Sequence, residues 1–284
     1  MEIINRRQRM FSISRKLRRE AKTVGFVPTM GALHEGHLTL VREARRMCDV
    51  VIVSIFVNPT QFNDQNDLEK YPRDLTADAA TLAGYDVDYI FAPEVHEVYP
   101  DGFSTHVSVE GITESLEGAS RPGHFKGVST VVTILLNTIR PDQAFFGQKD
   151  AQQVAVVKRL VMDLGFETEI VVVPTVREES GLAMSSRNSL LSDDEHQKAV
   201  VIIDALREAK LAFKKGERNA SVLTQIVIDR IATEPLARLD YVAVVDRNSL
   251  QPVEKVGDDE TVIAAAAFIG SVRLIDNVIL NRKQ

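Results

Sequence analysis

Apolar runs that alternate with helical patterns constrain the fold of this chain more than any other feature. The run "DVVIVSIFV" is almost continuously apolar and rich in branched side chains, which is typical of a parallel strand covered on both faces. The segment "HLTLVREARRMC" before it has helical spacing, and "KTVGFVPT" before that is another short apolar run. Strand, helix and strand in this order predict a βαβ unit with a right-handed crossover.

The same alternation continues to about residue 176. Helical "LTADAATLAG" precedes "VDYIFAP", "GVSTVVTILLNTI" leads to "QAFFG", and "AQQVAVVKRLVMDLG" precedes "ETEIVVVPT". We therefore predict an α/β fold with a doubly wound, Rossmann-like parallel sheet over residues 1–176. In such a sheet, ligands bind at the carboxyl ends of the strands.

The pattern changes after residue 176. Ser192 and Glu195 have the spacing of a capping box, which predicts a helix running to about Gly216. A second helix is expected over about Ala220 to Thr233, and the apolar runs "LDYVAVVD", "ETVIAAAAF" and "VRLIDNVIL" follow it. We predict a smaller α+β domain over residues 177–284 that covers the ligand site.

Charge and cysteine content exclude several classes of protein. The net charge of −6 over 284 residues argues against a general affinity for nucleic acid or for an anionic membrane. No stretch approaches the roughly 20 apolar residues of a membrane span. The single cysteine, Cys48, excludes an intrachain disulfide and suits a reducing compartment. We expect a cytoplasmic protein whose partners are small molecules.

The segment "PTMGALHEGH" joins the first of these strands to its helix. His34 and His37 are three residues apart, so both imidazoles can share one helix face. The free N–H groups and the dipole at a helix start favour an anion, and Gly31 and Gly36 allow a ligand to approach closely. We predict phosphate binding here. A plain strand–helix turn with two surface histidines is one alternative, and a metal pair without an evident third ligand is another.

Polar side chains also follow two other predicted strands. Asn58 and Gln61 in "FVNPTQF" can hydrogen-bond a hydroxyl or a carboxylate, although a simple polar turn would have the same composition. Lys149 in "FFGQKDAQQ" lies at a helix start, where an ammonium can neutralise a phosphoryl group. Asp150 could cap that helix, contact ribose or help to hold magnesium, and Gln153 lies one turn into it.

Two further loops carry polar residues with open interpretations. Ser185, Ser186 and Arg187 in "LAMSSRN" could clamp a triphosphate, or they could form an ordinary flexible connector. Arg121 and His124 in "SRPGHFKGVST" fit anion binding and interface packing equally well. We assign no catalytic role to His124.

Taken together, these motifs resemble one family. The segments "PTMGALHEGH", "SIFVNPTQF", "SRPGHFKGVSTVV", "FFGQKDAQQ", "LAMSSRN" and "RLIDN" resemble, in order, those of the pantoate–beta-alanine ligases, which belong to the His-x-Gly-His nucleotidyl-transferase superfamily. The resemblance implies an ATP-dependent ligase. Pantoate attacks ATP to give pantoyl adenylate and pyrophosphate, and beta-alanine then releases AMP and forms pantothenate. It also implies Mg²⁺ with ATP, and a homodimer.

The resemblance further implies roles for particular residues. His37 would be the catalytic proton donor, with His34 and Lys149 acting on the phosphates. Pantoate and beta-alanine would contact Gln61, pantoate would contact Gln153, and Asn58 would belong to the same substrate site. Protein ligands of magnesium are not implied. The ATP-binding residues would be Met30, Gly31, Ala32, Leu33, His34, Glu35, Gly36, His37, Gly147, Gln148, Lys149, Asp150, Val176, Met184, Ser185, Ser186 and Arg187.

Three other interpretations remain open at this point. The chain could be a nucleotidyl transferase that releases a nucleotidylated product, a remnant of an aminoacyl-tRNA synthetase, or a non-catalytic nucleotide sensor. An amine co-substrate would stimulate turnover only in the ligase. Tight tRNA binding would favour the second alternative, and ATP binding without pyrophosphate release would favour the third.

Overall fold

The chain divides into two units that are not continuous in sequence. A computed structural model describes residues 1–63 and 65–281. The first unit contains Met1–Gln148 and Val156–Pro174, and the second contains Lys149–Ala155 and Thr175–Gln284. The sequence had predicted one boundary, between residues 176 and 177. The short segment Lys149–Ala155 therefore groups with the second unit, although the chain on both sides of it belongs to the first.

The first unit is an α/β sandwich. Its strands are β1 (Glu2–Ile4), β2 (Val24–Thr29), β3 (Val50–Ile55), β4 (Tyr89–Phe91), β5 (Gln143–Gly147) and β6 (Glu169–Val173). The helices in this part of the chain are α1 (Arg7–Arg19), α2 (Glu35–Met47), α3 (Gln65–Lys70), α4 (Leu75–Leu82), α5 (Val95–Val98), α6 (Glu117–Ser120), α7 (His124–Ile139) and α8 (Ala151–Asp163). Helix α8 passes from the second unit into the first.

The strands of the first unit form one parallel sheet. Among the described residues its order is β1-β4-β3-β2-β5-β6, and every pairing is parallel. From β2 the chain builds outward through β3 and β4, and later returns to place β5 on the other side of β2. The strand order reverses between β2 and β5, which is where a doubly wound sheet leaves a crevice for a ligand. This confirms the predicted Rossmann-like architecture.

A glycine lets helix α2 lie close to the centre of the sheet. A Cβ atom on Gly25 of β2 would lie 3.0 Å from the Cys48 sulfur and 3.3 Å from the Ala44 Cβ atom. The fully buried Val41 and Val53 belong to the same core cluster. Because α2 is held this closely, its first turn has a fixed position beyond the carboxyl end of β2.

In the second unit, three helices precede three strands along the chain. The helices are α9 (Asp193–Lys198), α10 (Val201–Lys214) and α11 (Ala220–Ala232), and the strands are β7 (Ala237–Asp246), β8 (Thr261–Ile269) and β9 (Val272–Leu280). Within the described residues the strands form an antiparallel sheet in the order β7-β8-β9. The core of this unit includes Leu206, Leu223, Ile263 and Ala265, all fully buried.

Most of the elements predicted from the sequence are present, and the differences include the end of one helix and several short elements that were not predicted, among them α3, α5 and α6. The capping box is confirmed, since the Ser192 hydroxyl accepts the Glu195 N–H and the Glu195 carboxylate accepts the Ser192 N–H. The helix that it starts ends at Lys198, however, and a new helix begins at Val201, so the single helix expected as far as Gly216 was wrong. Strand β1, which extends the sheet beside β4, was not predicted.

Across residues 1–63 and 65–281, none of the helices combines the length and the apolar character that crossing a membrane requires.

Candidate active site

The turn after β2 has an unusual backbone. Gly31 has φ +86° and Ala32 has φ +51°, so two consecutive residues lie in the left-handed region. The Thr29 hydroxyl accepts the Gly31 N–H and donates to the Ser54 carbonyl of β3. These contacts tie the turn to two central strands and deliver the chain to the start of α2.

The two histidines cap the start of α2 reciprocally. The Gly36 N–H donates to His34 Nδ1 at 3.1 Å, and the His34 N–H donates to His37 Nδ1 at 3.3 Å. The ring centroids are 4.1 Å apart. The sequence predicted that both rings share one face of the helix start, and the structure places them there. It adds that the side chains replace the usual serine and glutamate of a capping box.

This geometry fixes where each imidazole carries its proton. A ring nitrogen that accepts a backbone N–H has no proton of its own, so the proton of each neutral ring is on Nε2. The ring protons of His34 and His37 therefore lie on Nε2, and both rings are half-buried. Two imidazoles at a positive helix end suit a polyanionic ligand.

Asn58 is buried and its amide group is used within the protein. It is 1% exposed. Its Nδ2 atom donates to Gln61 Oε1 at 3.1 Å and to the Gly127 carbonyl at 3.2 Å. Its Oδ1 atom accepts from the Tyr99 hydroxyl at 2.8 Å and from the Thr60 hydroxyl at 2.9 Å. The contacts of Asn58 therefore orient Gln61, and its predicted contact with substrate stays a prediction.

Gln61 is held from several sides at the carboxyl edge of the sheet. Its Nε2 atom donates to the Met30 sulfur at 2.8 Å, so the turns after β2 and β3 meet here. Its main-chain carbonyl accepts from His124 Nδ1 at 2.8 Å and from Arg121. Arg121 also donates to His124 Nε2, which leaves the proton of the neutral His124 ring on Nδ1. For Arg121 and His124, the sequence left anion binding and interface packing open. In the structure both side chains donate to the Gln61 carbonyl.

Strand β5 ends at the same edge of the sheet. Gly147 is its last residue and pairs with Val173, and the buried Gln148 follows it directly. Strand β5 lies beside β2. In the first unit, the segments that contain His34, Gln61 and Gln148 therefore all follow strands that end at this edge. In a doubly wound sheet, this is the edge where ligands bind.

The second unit contains the other predicted residues, beginning with Lys149. The Lys149 ammonium lies 3.4 Å from Asp150 Oδ1, and its side chain is 20% exposed. The Lys149 carbonyl accepts a hydrogen bond of 2.9 Å from the Asn277 side chain in β9. Gln153 lies in the first turn of α8 and is half-buried.

The loop from Val176 to Asn188 folds as a short hairpin in this unit. The Met184 N–H donates to the Val176 carbonyl at 3.0 Å. Arg177 makes two contacts with Asp276 of β9, at 2.6 and 3.0 Å, and also donates to the Gly181 carbonyl. The Ser185 hydroxyl accepts the Arg187 N–H and starts a 3₁₀ turn over Ser186–Leu190. The loop predicted as a phosphate clamp is therefore tied to β9.

Sequence reasoning missed several residues that position the predicted ones. Tyr99 lies far from Asn58 in the chain and in no recognisable motif. Asp276 and Asn277 were visible only as part of the quoted "RLIDN" segment, without a role. Asp78 was also missed, although it binds the turn before His34. The roles of Asp276 and Asn277 in β9 could have been found only from a longer sequence motif. No local signal in the sequence indicates Asp78 or Tyr99.

The side chains do not form a metal centre in the part of the chain that the structure describes. In residues 1–63 and 65–281, no group of three or more His, Cys, Asp or Glu side chains could hold a metal ion. The pairing of the two histidines through backbone N–H groups uses the Nδ1 atoms for capping.

Comparison with known proteins gives the family. The family model described as Pantoate-beta-alanine ligase matches residues 2–279. The chain belongs to the pantoate–beta-alanine ligase family. Relatives in this family include a pantothenate synthetase from Heliobacterium modesticaldum, which is 52% identical over 280 residues that cover 99% of each chain.

Solved structures of pantoate–beta-alanine ligases have the same fold. A pantothenate synthetase from Thermus thermophilus is 45% identical, with a TM-score of 0.91 over 98% of this chain and 99% of that one. A ligase from Francisella tularensis, complexed with "Beta-gamma ATP" and beta-alanine, is 40% identical with a TM-score of 0.81. That comparison covers 98% of this chain and 97% of the other. These matches confirm the family predicted from the motifs.

Proposed function

We propose that this protein condenses pantoate with beta-alanine at the expense of ATP, through a pantoyl-adenylate intermediate. The observation that carries the proposal is the match to the ligase family along residues 2–279. The carboxyl edge of the parallel sheet supports it, because the reciprocally capped histidine pair and the buried Gln61 both follow strands that end at this edge. The ATP and beta-alanine ligands of the Francisella relative provide further support.

The chemistry has two group-transfer steps. A pantoate carboxylate oxygen attacks the α-phosphorus of ATP, an O–P bond forms, and pyrophosphate leaves. The beta-alanine amine then attacks the acyl carbon, a C–N bond forms, and AMP leaves with the electron pair of the broken C–O bond. Both steps depend on positioning and on charge stabilisation, so no covalent nucleophile from the protein is required.

The histidine pair would act on the phosphates during the first step. His34 and His37 each offer an Nε2–H donor at the N-terminus of α2. Negative charge grows on the phosphate oxygens as pyrophosphate leaves, and fixed donors there stabilise the transition state. His37 would be the principal donor, and Met30, Gly31, Ala32, Leu33, Glu35 and Gly36 would form the surrounding nucleotide site.

The segments after β5 and β6 would complete nucleotide binding. Lys149 would contact the phosphates, and its neighbours Gly147, Gln148 and Asp150 would contact the rest of the nucleotide. Val176 would offer main-chain contacts, and Met184, Ser185, Ser186 and Arg187 would contact the triphosphate. The contacts of β9 with Lys149 and Arg177 support this set, since they fix both segments.

The glutamines would bind the acid substrate. Gln61 is oriented through its side chain and its carbonyl, and Gln153 is half-buried at the start of α8. Amides can bind the hydroxyls and the carboxylate of pantoate without adding charge. Asn58 would contribute to this site through Gln61.

Magnesium would enter as part of the nucleotide substrate. The described residues contain no cluster of three or more candidate ligands, and Mg²⁺ is commonly held by substrate phosphates and water with few protein ligands. We also propose that the protein is a homodimer, as the resemblance implies, which sedimentation of the purified protein would test. A cytoplasmic location is proposed from the single cysteine, Cys48, which suits a reducing compartment.

The decisive experiment is a product analysis. The protein is incubated with Mg²⁺, ATP and pantoate, with and without beta-alanine, and pyrophosphate, AMP and pantothenate are followed. Pyrophosphate release should require pantoate, and AMP and pantothenate should appear only with beta-alanine. Pyrophosphate release independent of pantoate would indicate another nucleotidyl transfer, and ATP binding without any release would indicate a sensor.

A further inference from the structure

A buried carboxylate holds the turn that precedes the histidine pair. Asp78, on helix α4, is 5% exposed. Its Oδ2 atom accepts the Ala32 N–H at 3.1 Å, and its Oδ1 atom accepts the Leu33 N–H at 2.9 Å. Burial of a charged group is costly unless its oxygens are hydrogen-bonded. Two main-chain donors from one turn satisfy this requirement.

The carboxylate stabilises a backbone conformation that the turn would otherwise avoid. Ala32 has φ +51° although it has a side chain, and this region is unfavourable for residues other than glycine. Gly31 has φ +86°, and a Cβ atom there would lie 2.7 Å from Asp78 Oδ2. The close approach of the carboxylate therefore explains why glycine occupies position 31.

The donors that Asp78 binds are not available to a ligand. The Ala32 and Leu33 N–H groups point to Asp78, the Gly31 N–H to Thr29, and the His34 N–H to His37. This loop thus differs from a glycine-rich loop whose main-chain N–H groups cradle a phosphate. In the proposed function the imidazole rings would contact the phosphates instead, and the direction of each ring depends on the path of the turn.

We propose that Asp78 is a positioning residue that sets the orientation of the His34 and His37 rings for phosphoryl chemistry. It acts through main-chain hydrogen bonds to Ala32 and Leu33 and does not touch the substrate. The proposal rests on the proposed function for its kinetic consequence. Its structural part, the control of the two rings by one carboxylate, stands without that function.

Two variants separate the hydrogen bonds from the volume of the side chain. Asp78→Asn keeps the volume but places an N–H donor opposite a main-chain donor, and Asp78→Ala removes both acceptors. Both should lower kcat/KM for ATP by about 10²-fold, the size expected from small misplacement of catalytic groups. The KM values for pantoate and beta-alanine should change little. If the Asp78→Ala variant does not fold, kcat/KM for ATP is compared between wild type and Asp78→Asn alone.

Asp74→Ala is the matched control. Asp74 caps the same helix by accepting the Ala77 N–H at 2.9 Å, but it is exposed and has no contact with the turn. Loss of this cap should lower the stability of α4 while leaving kcat/KM for ATP close to that of the wild type. An equal loss of rate in Asp74→Ala and Asp78→Asn would overturn the proposal, because helix stability would then explain both.

A readout without turnover completes the experiment. In wild-type protein, ¹⁵N NMR should show Nδ1 of His34 and His37 as hydrogen-bond acceptors, and hydrogen exchange at Ala32 and Leu33 should be slow. Asp78→Asn should alter both signals. Unchanged histidine signals and protected amides in that variant would contradict the proposal, whether or not the protein makes pantothenate. Absence of pantothenate from wild-type protein, by contrast, would reject only the proposed function.

Discussion

Each ring of the histidine pair has two ends with different tasks. The Nδ1 atoms of His34 and His37 accept main-chain N–H groups at the start of α2. The Nε2 atoms carry the protons that a phosphate can accept. In the proposed function, structural and chemical roles would therefore be divided between the two nitrogens of one side chain, and a substitution could remove one role while keeping the other.

His37→Asn is expected to separate these roles. The asparagine oxygen can take the place of Nδ1 and accept the His34 N–H, but no donor remains at the position of Nε2. Adenylate formation should fall by roughly 10²-fold or more, as for loss of one charge-stabilising donor. Pyrophosphate release measures the rate. His37→Ala serves as the control, with a similar loss of rate and a larger loss of stability; a wild-type rate in folded His37→Asn would refute this role.

Cys48 should be chemically inert in the folded protein. Burial raises the pKa of its thiol from 9.0 to about 11, and the nearby Asp142 carboxylate contributes to the rise. The thiol therefore stays protonated at pH 8, and its thiolate fraction is about a hundredfold below that of an unshifted cysteine. Iodoacetamide should modify Cys48 slowly in native protein and rapidly in urea, as mass spectrometry would show. Equal rates in both conditions would mean that the thiol is accessible in the fold.

Among the elements, helix α7 is packed against the turn that carries Gln61. A Cβ atom on Gly127 would lie 2.4 Å from the Thr60 carbonyl oxygen and 2.8 Å from the Gln61 nitrogen. Asn58 also donates to the Gly127 carbonyl. The glycine is thus required for the close approach between helix α7 and the turn that carries Gln61.

Gly127→Ala should move this turn. We expect a loss of about 1–3 kcal/mol in the free energy of unfolding, the usual cost of overpacking, together with a raised KM for pantoate. Urea unfolding and steady-state kinetics measure the two effects. Gly84→Ala is the control, because a Cβ atom there would meet nothing within 4 Å. If Gly127→Ala and Gly84→Ala have the same unfolding free energy and the same KM for pantoate, the close contact at Gly127 does not position the Gln61 turn.

Strand β9 holds the hairpin loop of the second unit through a buried ion pair. Arg177 and Asp276 have side chains that are 21% and 5% exposed. Asp276→Ala should cost about 3–5 kcal/mol in unfolding free energy, because the arginine is left unpaired in a partly buried site. Asp163→Ala, which breaks the exposed pair with Arg159, should cost less than about 1 kcal/mol. Denaturant unfolding measures both losses of unfolding free energy. Equal losses would show that the Arg177–Asp276 pair stabilises the fold no more than an exposed ion pair.

Particular elements also show how much of the fold and of the candidate site could be predicted from the sequence. Strand β3 was predictable because its branched apolar residues are covered on both faces, and Ser192 with Glu195 correctly located a helix start. The break after Lys198 was not predictable, since Ala199 and Val200 carry no turn signal. The histidine pair could be found from local spacing. Asp78 and Tyr99 could not, because each acts on a turn that is distant in the chain.

At the scale of the whole molecule, the course of the chain differs from the simple order expected from its sequence pattern. It leaves the first unit after Gln148, returns at Val156, and leaves it again after Pro174. The brief excursion contains Lys149, whose carbonyl is bound by Asn277 near the end of the described chain. A central sequence motif and a late strand therefore belong to one unit, while the alternating pattern predicted a single boundary.

This course of the chain limits how the protein can be rearranged by recombination. The second unit cannot be moved between genes as one continuous cassette, because its Lys149–Ala155 segment is encoded between two parts of the first unit. A chimaera joined at Thr175 would combine β9 of one parent with the Lys149 segment of the other. Exchange of the late half alone would then replace the Asn277 side chain without replacing the Lys149 segment whose carbonyl accepts its hydrogen bond.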